Sequence, residues 1–81
     1  MIVTVHLFAA VRDLAGHESV AVELPIGSTV GDLRTSLAAK FLSFSSLLTR
    51  SAIAVNHDYA DDSKSIFEAD EVAVIPPVSG G

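Results

Sequence analysis

The chain has 81 residues, with ten acids against five bases for a net charge of −5, three histidines and no cysteine. A single domain of that length hides only about 60% of the surface its unfolded chain exposes, and a hydrophobic content of 49% compensates. The composition excludes a disulfide framework, a thiolate metal site and a cysteine nucleophile, and with no basic patch to grip phosphates nucleic acid is not an expected partner.

Residues 2–8 are β-branched and alternating, which predicts a strand with Val3, Val5 and Leu7 on one side and Thr4, His6 and Phe8 on the other. The alternation stops at Ala9, and residues 9–15 suit a short helix that Gly16 ends. A second strand is expected over 18–24 with Val20, Val22 and Leu24 inward, closed by Pro25-Ile26-Gly27. Ser28 or Thr29 can cap the next helix, and Asp32 can complete the cap three residues after Thr29. Val30, Leu33, Leu37 and Phe41 then recur at helical spacing and form one apolar stripe. Residues 42–50 are rich in Ser and Leu and read as irregular or as a short helical turn. A short strand, Ala52 to Val55, is closed by the turn-forming Asn56-His57-Asp58. Residues 59–69 read as a loop with a short strand or turn near 65–67, and 71–75 as the last strand, ended by Pro76.

The order strand, strand, main helix, strand, strand predicts an α+β fold of the β-grasp kind. Its mixed sheet would have four to five strands, with the most apolar two, the first and the last, side by side in the centre and one main helix across one face. The expected division is a domain over 1–76 and a flexible tail over 77–81.

Six of the ten acids (Asp58, Asp61, Asp62, Glu68, Asp70 and Glu71) crowd into fourteen residues. Two readings stay open, a solvated edge that keeps an apolar domain soluble and steering toward a basic partner. No run approaches the roughly 18 apolar residues of a membrane span, and no secretory leader is visible. The expected location is therefore cytoplasmic, with no membrane partner. His6, His17 and His57 lack metal-ligand spacing and read as surface or turn histidines, so no metal site is expected. Ser43, Ser45 and Ser46 belong to no Ser–His–Asp arrangement, and Arg12 with Asp13 reads as a solvated pair.

The sequence ends Pro76-Pro77-Val78-Ser79-Gly80-Gly81. Such an end would carry a free carboxylate on backbone without Cβ atoms, suited to a narrow active site; the competing reading is a frayed terminus. Pro76 and Pro77 end a strand and also favour an extended course. At about 3.1 Å per residue, five residues past Pro76 reach roughly 15 Å. If Val72 and Val74 face the core, Ile75 faces out beside Phe8, and Tyr59 can join them in an exposed apolar patch of the kind that meets a partner. The alternative is that these side chains belong to the core.

The chain resembles the small, sulfur-carrier subunits of molybdopterin synthase. The likeness rests on Leu7-Phe8-Ala9, Val11-Arg12-Asp13-Leu14-Ala15-Gly16, Ala54-Val55-Asn56 and above all the run from Asp70 through Pro76-Pro77-Val78-Ser79-Gly80-Gly81. The resemblance implies that Gly81 is the reacting residue. An adenylating enzyme of the ubiquitin-activating type, using ATP and Mg²⁺, would convert its carboxylate to an acyl-adenylate, and a sulfur donor protein would turn that into a thiocarboxylate. The large synthase subunit would use two such sulfurs to build the dithiolene of molybdopterin. The carrier would bind no cofactor itself and would not be catalytic alone. It further implies insertion of Pro77, Val78, Ser79 and Gly80 into the partner, docking through Phe8, Tyr59 and Ile75, and a heterotetramer with a dimer of large subunits. Ile75 stands where the family often has an aromatic, and Tyr59 where it is often aliphatic. A thiamine-pathway sulfur carrier and a ubiquitin-like protein modifier share the tail chemistry and remain as alternatives.

Overall fold

A computed structural model describes residues 1–78. Strand β1 (Ile2–Leu7) is followed by helix α1 (Ala9–Ala15), strand β2 (Ser19–Glu23) and helix α2 (Val30–Lys40). A 3₁₀ turn (Leu42–Phe44), helix α3 (Ser45–Arg50) and strands β3 (Ala52–Val55), β4 (Asp58–Ala60) and β5 (Val72–Ile75) complete the chain. The sheet order is β2-β1-β5-β3-β4. β1 and β5 lie parallel at its centre, as their apolar runs require, and the remaining neighbours are antiparallel.

The alternation in β1 and β5 sorts the two faces. Val3, Val5, Leu7, Val72 and Val74 are buried with Val22, Ile53 and Val55 against Val30, Leu33 and Leu37 of α2. On β2 the inward-facing Val22 is buried, while Val20, at the edge, is only half-buried. Phe41 also stays half-buried: it is the C-cap of α2, and its ring stacks on Phe44 with centroids 5.1 Å apart.

α2 starts as its sequence dictates. The Thr29 side chain accepts from the Asp32 amide at 3.3 Å, and the Asp32 carboxylate accepts from the Thr29 amide at 2.9 Å. Asp32 thus closes a full capping box. α1 ends at Gly16, whose φ of 76° is a conformation that glycine adopts without a Cβ clash.

One expectation is sharpened and one corrected. Residues 42–50 are helical throughout, a 3₁₀ turn followed by α3, so the helical alternative holds and the segment is longer than a single turn. Arg34 of α2 stabilises that segment, donating through Nη1 to the carbonyls of Leu48 at 2.9 Å and Ser51 at 2.6 Å. Its Nε pairs with Asp62 at 3.2 Å. The helix is therefore held by a long-range cation at its C-terminal carbonyls, together with burial of Leu48 and a local bond from the Ser51 hydroxyl to the Leu47 carbonyl at 2.8 Å. The correction concerns the 59–69 loop. Its start belongs to β4, which pairs with β3, and Ile66 is 1% exposed, a core residue in the middle of a polar stretch. The loop is tied across α2: the amides of Val30 and Gly31 donate to the carbonyls of Lys64 and Asp62, both at 2.9 Å. A Cβ on Gly31 would stand 3.2 Å from that Asp62 carbonyl oxygen, so glycine permits the close approach.

Candidate docking groove and tail

The helices cover one face of the sheet and leave the other open. The strand register sets what lies on the open face. His6 is opposite Ala73, Ala73 opposite Ala54, and Ala54 opposite Tyr59. One row across four strands therefore reads His6, Ala73, Ala54, Tyr59. Two alanines between two ring side chains leave a trough, since strands spaced about 4.8 Å apart put those rings roughly 14 Å from each other. The trough is a groove of about 430 Å³. Phe8 and Ile75 line it beside His6, and His57 and Glu71 line it beside Tyr59. Phe8 is 46% exposed and Tyr59 76%, whereas Ile75 is half-buried. The three residues expected to form an outward apolar patch thus share one groove.

Sequence reading missed the rest of the groove. His6, a surface histidine on the same side as Phe8, forms a wall, and His57, a turn residue, forms the lip. The spacing held the signal: His6 and Ala73 each precede an outward apolar residue, Phe8 and Ile75, by two positions, the period of a strand face.

The lip is a two-residue turn. Asn56 and His57 have φ of 51° and 72°, both left-handed, and Val55 pairs with Asp58 across them. That is the turn whose twist matches a tight hairpin. His57 Nε2 lies 3.0 Å from Glu71 Oε2. The Asn56 amide nitrogen donates to Asp70 at 3.0 Å, and the Glu71 backbone donates to the Asn56 amide oxygen at 2.9 Å. Asp70 also accepts from the Phe67 amide at 2.8 Å. That bond and, after it, the Asn56 side chain hold the Asp70 carboxyl below its usual range, with Lys64 contributing least. Nearby, the Ser63 hydroxyl and then its amide lower Asp61 in the same way.

β5, which lines the groove, leads directly into the end of the chain. Pro76 is buried, and Pro77 and Val78 are exposed beyond it. Ser79, Gly80 and Gly81 lie outside the described residues. Among the described residues, no group of three or more His, Asp or Glu side chains is placed to hold a metal ion, and no helix is long and apolar enough to cross a membrane.

An apolar groove at the root of a Pro-Pro-Val-Ser-Gly-Gly segment is accompanied by likeness along nearly the whole chain. The profile of the ThiS family matches residues 5–81. The chain belongs to the ThiS family. A curated relative of this ThiS-family chain, the molybdopterin synthase sulfur carrier subunit of Arabidopsis thaliana, is 37% identical over 79 residues, spanning 98% of this chain and 82% of the relative. The sulfur carrier subunit of Dictyostelium discoideum is 41% identical over 78 residues, spanning 93% and 91%. The crystal structure of Haloferax volcanii small archaeal modifier protein 1 matches with a TM-score of 0.83 at 26% identity, over 95% of this chain and 98% of that one. The architecture is the α+β β-grasp that the strand and helix order implied.

Proposed function

We propose that this ThiS-family chain is the sulfur carrier of molybdenum cofactor biosynthesis, with Gly81 as its reacting residue. Similarity to curated carriers over 98% of the chain carries the reading. The chemistry asks little of the carrier itself. An α-carboxyl with a pKa of about 3.3–3.7 is ionised at neutral pH and can attack the α-phosphorus of ATP. Pyrophosphate leaves and an acyl-adenylate forms in the active site of a ubiquitin-activating-type enzyme, which supplies ATP and Mg²⁺. Hydrosulfide supplied by the donor protein attacks the acyl carbon, the C–O bond to AMP breaks, and a thiocarboxylate remains as AMP and a proton leave. In the large synthase subunit that sulfur passes to the pterin precursor, and water returns the carboxylate.

In this scheme the fold supplies positioning. The groove of Phe8, Tyr59 and Ile75 docks the large subunit and the activating enzyme, and Pro77 to Gly80 thread into the partner so that Gly81 meets the reacting atoms. An aromatic pair over an apolar floor suits a binding hot spot. A heterotetramer, with one carrier on each large subunit of a dimer, is the assembly proposed.

Reconstitution tests this. The full chain, with the activating enzyme, ATP, a sulfur source, the large subunit and the pterin precursor, should yield molybdopterin, and a form lacking Gly81 should yield none. Product formation by the truncated form would overturn the proposal, and no molybdopterin here with thiazole formed in a parallel mixture holding the thiazole-forming enzyme and its substrates would move the chain to the thiamine pathway. The likeness to a modifier protein favours a second reading, isopeptide conjugation through Gly81. It requires Gly80-Gly81 remnants on lysines of other proteins from the native host.

A further inference from the structure

We propose that Asn56 is a positioning residue for docking: its side chain latches the β3–β4 turn to the entry of β5 and so sets the groove's Tyr59 wall against its floor. The inference rests on the reading of the groove as the partner surface.

The β3–β5 ladder runs to the pair Val55 and Val72, so the next opposed pair is Asn56 and Glu71. At a hydrogen-bonded position of a regular antiparallel ladder the two residues exchange two backbone bonds. Here the Asn56 backbone N–H donates to the Glu71 carbonyl at 2.7 Å, but the return bond from the Glu71 backbone N–H goes to the Asn56 side-chain oxygen at 2.9 Å. The side chain replaces a backbone acceptor. The chain can thus enter a left-handed turn at Asn56 while its pairing with β5 continues for one more residue. The nitrogen of the same side-chain amide, Nδ2, donates to Asp70 at 3.0 Å. An amide that offers both an acceptor and a donor is required, and Asn supplies both on a short stem.

The latch joins groove walls. On one side of it the chain carries His57 and Tyr59, and on the other Glu71 and then Ala73 and Ile75. Asn56 is exposed and Asp70 only half-buried, so removing the latch opens no cavity among the buried residues. Its loss should therefore act more on the groove than on the core.

The test is equilibrium binding of the full chain to the large subunit of molybdopterin synthase from the same organism. Asn56→Gly removes the side chain and keeps the left-handed backbone without a steric cost. Asn56→Gly and Tyr59→Ala should each raise Kd about tenfold. The double variant should stay well short of the hundredfold rise that independent effects would give. Thr29→Ala, which loosens the fold at the α2 cap, should leave Kd unchanged. Wild-type affinity for Asn56→Gly, or effects that multiply to about a hundredfold, would overturn the latch. An equal loss of affinity in Thr29→Ala would also overturn it by making the effect one of stability alone. Unchanged binding by Tyr59→Ala would instead remove the docking reading, and the latch with it. Should Asn56→Gly not fold, Asn56→Asp keeps the acceptor, loses the donor and sets a second carboxylate against Asp70. It should show the same shortfall with Tyr59→Ala, and simple multiplication of the two effects would count against the latch.

Discussion

Asp70 shows how a half-buried carboxylate contributes to this fold. It accepts from the Phe67 amide and the Asn56 side chain, and its folded pKa lies below the ordinary value. A depressed carboxyl stabilises the folded state at pH values above its unfolded pKa, and the contribution is lost as pH falls through the folded pKa. The stability difference between the native chain and Asp70→Ala should therefore be full at neutral pH and shrink below about pH 4. Denaturant midpoints across that range check it; a gap of the same size in strong acid would contradict it. Thr29 offers a simpler comparison. Replacing a capping Thr by Ala costs about 1 kcal/mol, so Thr29→Ala should lower Tm by roughly 4–8 °C in a domain of this size.

At the scale of elements, what was legible followed from periodicity and caps. β1 and β5 alternate, and α2 has both its apolar stripe and its capping pair. Phe8 and Ile75 were placed on the open face by counting in twos from buried neighbours. α3 was legible only as one of two readings, because part of what holds it is Arg34, separated from the Leu48 carbonyl by fourteen residues. β4 and Ile66 were hidden in a polar stretch with no period, where a lone isoleucine does not announce its burial. The groove floor was hidden for a different reason. Ala54 and Ala73 matter for what they lack, and only the register shows that they stand in one row between His6 and Tyr59.

The dependence of α3 on Arg34 can be measured. Arg34→Ala removes the Arg34 donor from the Ser51 carbonyl and leaves the Leu48 carbonyl with the Ser51 amide at 3.2 Å, which should cost about 1–3 kcal/mol and speed amide exchange in α3 ahead of β1. Arg34→Lys keeps the charge but not the planar fork that reaches the carbonyls and Asp62 together, so it should recover only part of the loss. Full recovery with Lys would mean that charge alone holds the helix.

The whole molecule combines one open face, an acidic surface and a chain end that leaves from the groove. A net charge of −5 should speed encounter with a basic partner, and added salt should slow association more than it changes dissociation. Phe8→Ala should act on the other constant, raising the dissociation rate by about tenfold or more with little change in association. Stopped-flow or surface-based kinetics would separate the two. An association rate indifferent to salt would leave the acidic run as a solubilising edge only.

In the proposed function, Gly81 carries the sulfur. The most direct test of this is the intact mass of the full chain after incubation with its activating enzyme, ATP and sulfide, with the Gly81-deleted form alongside. The expected result is the mass gain of one sulfur replacing one oxygen, confined to the peptide that ends in Gly81 and missing from the deleted form. An unchanged mass, with an activating enzyme shown to be active on another carrier, would contradict it.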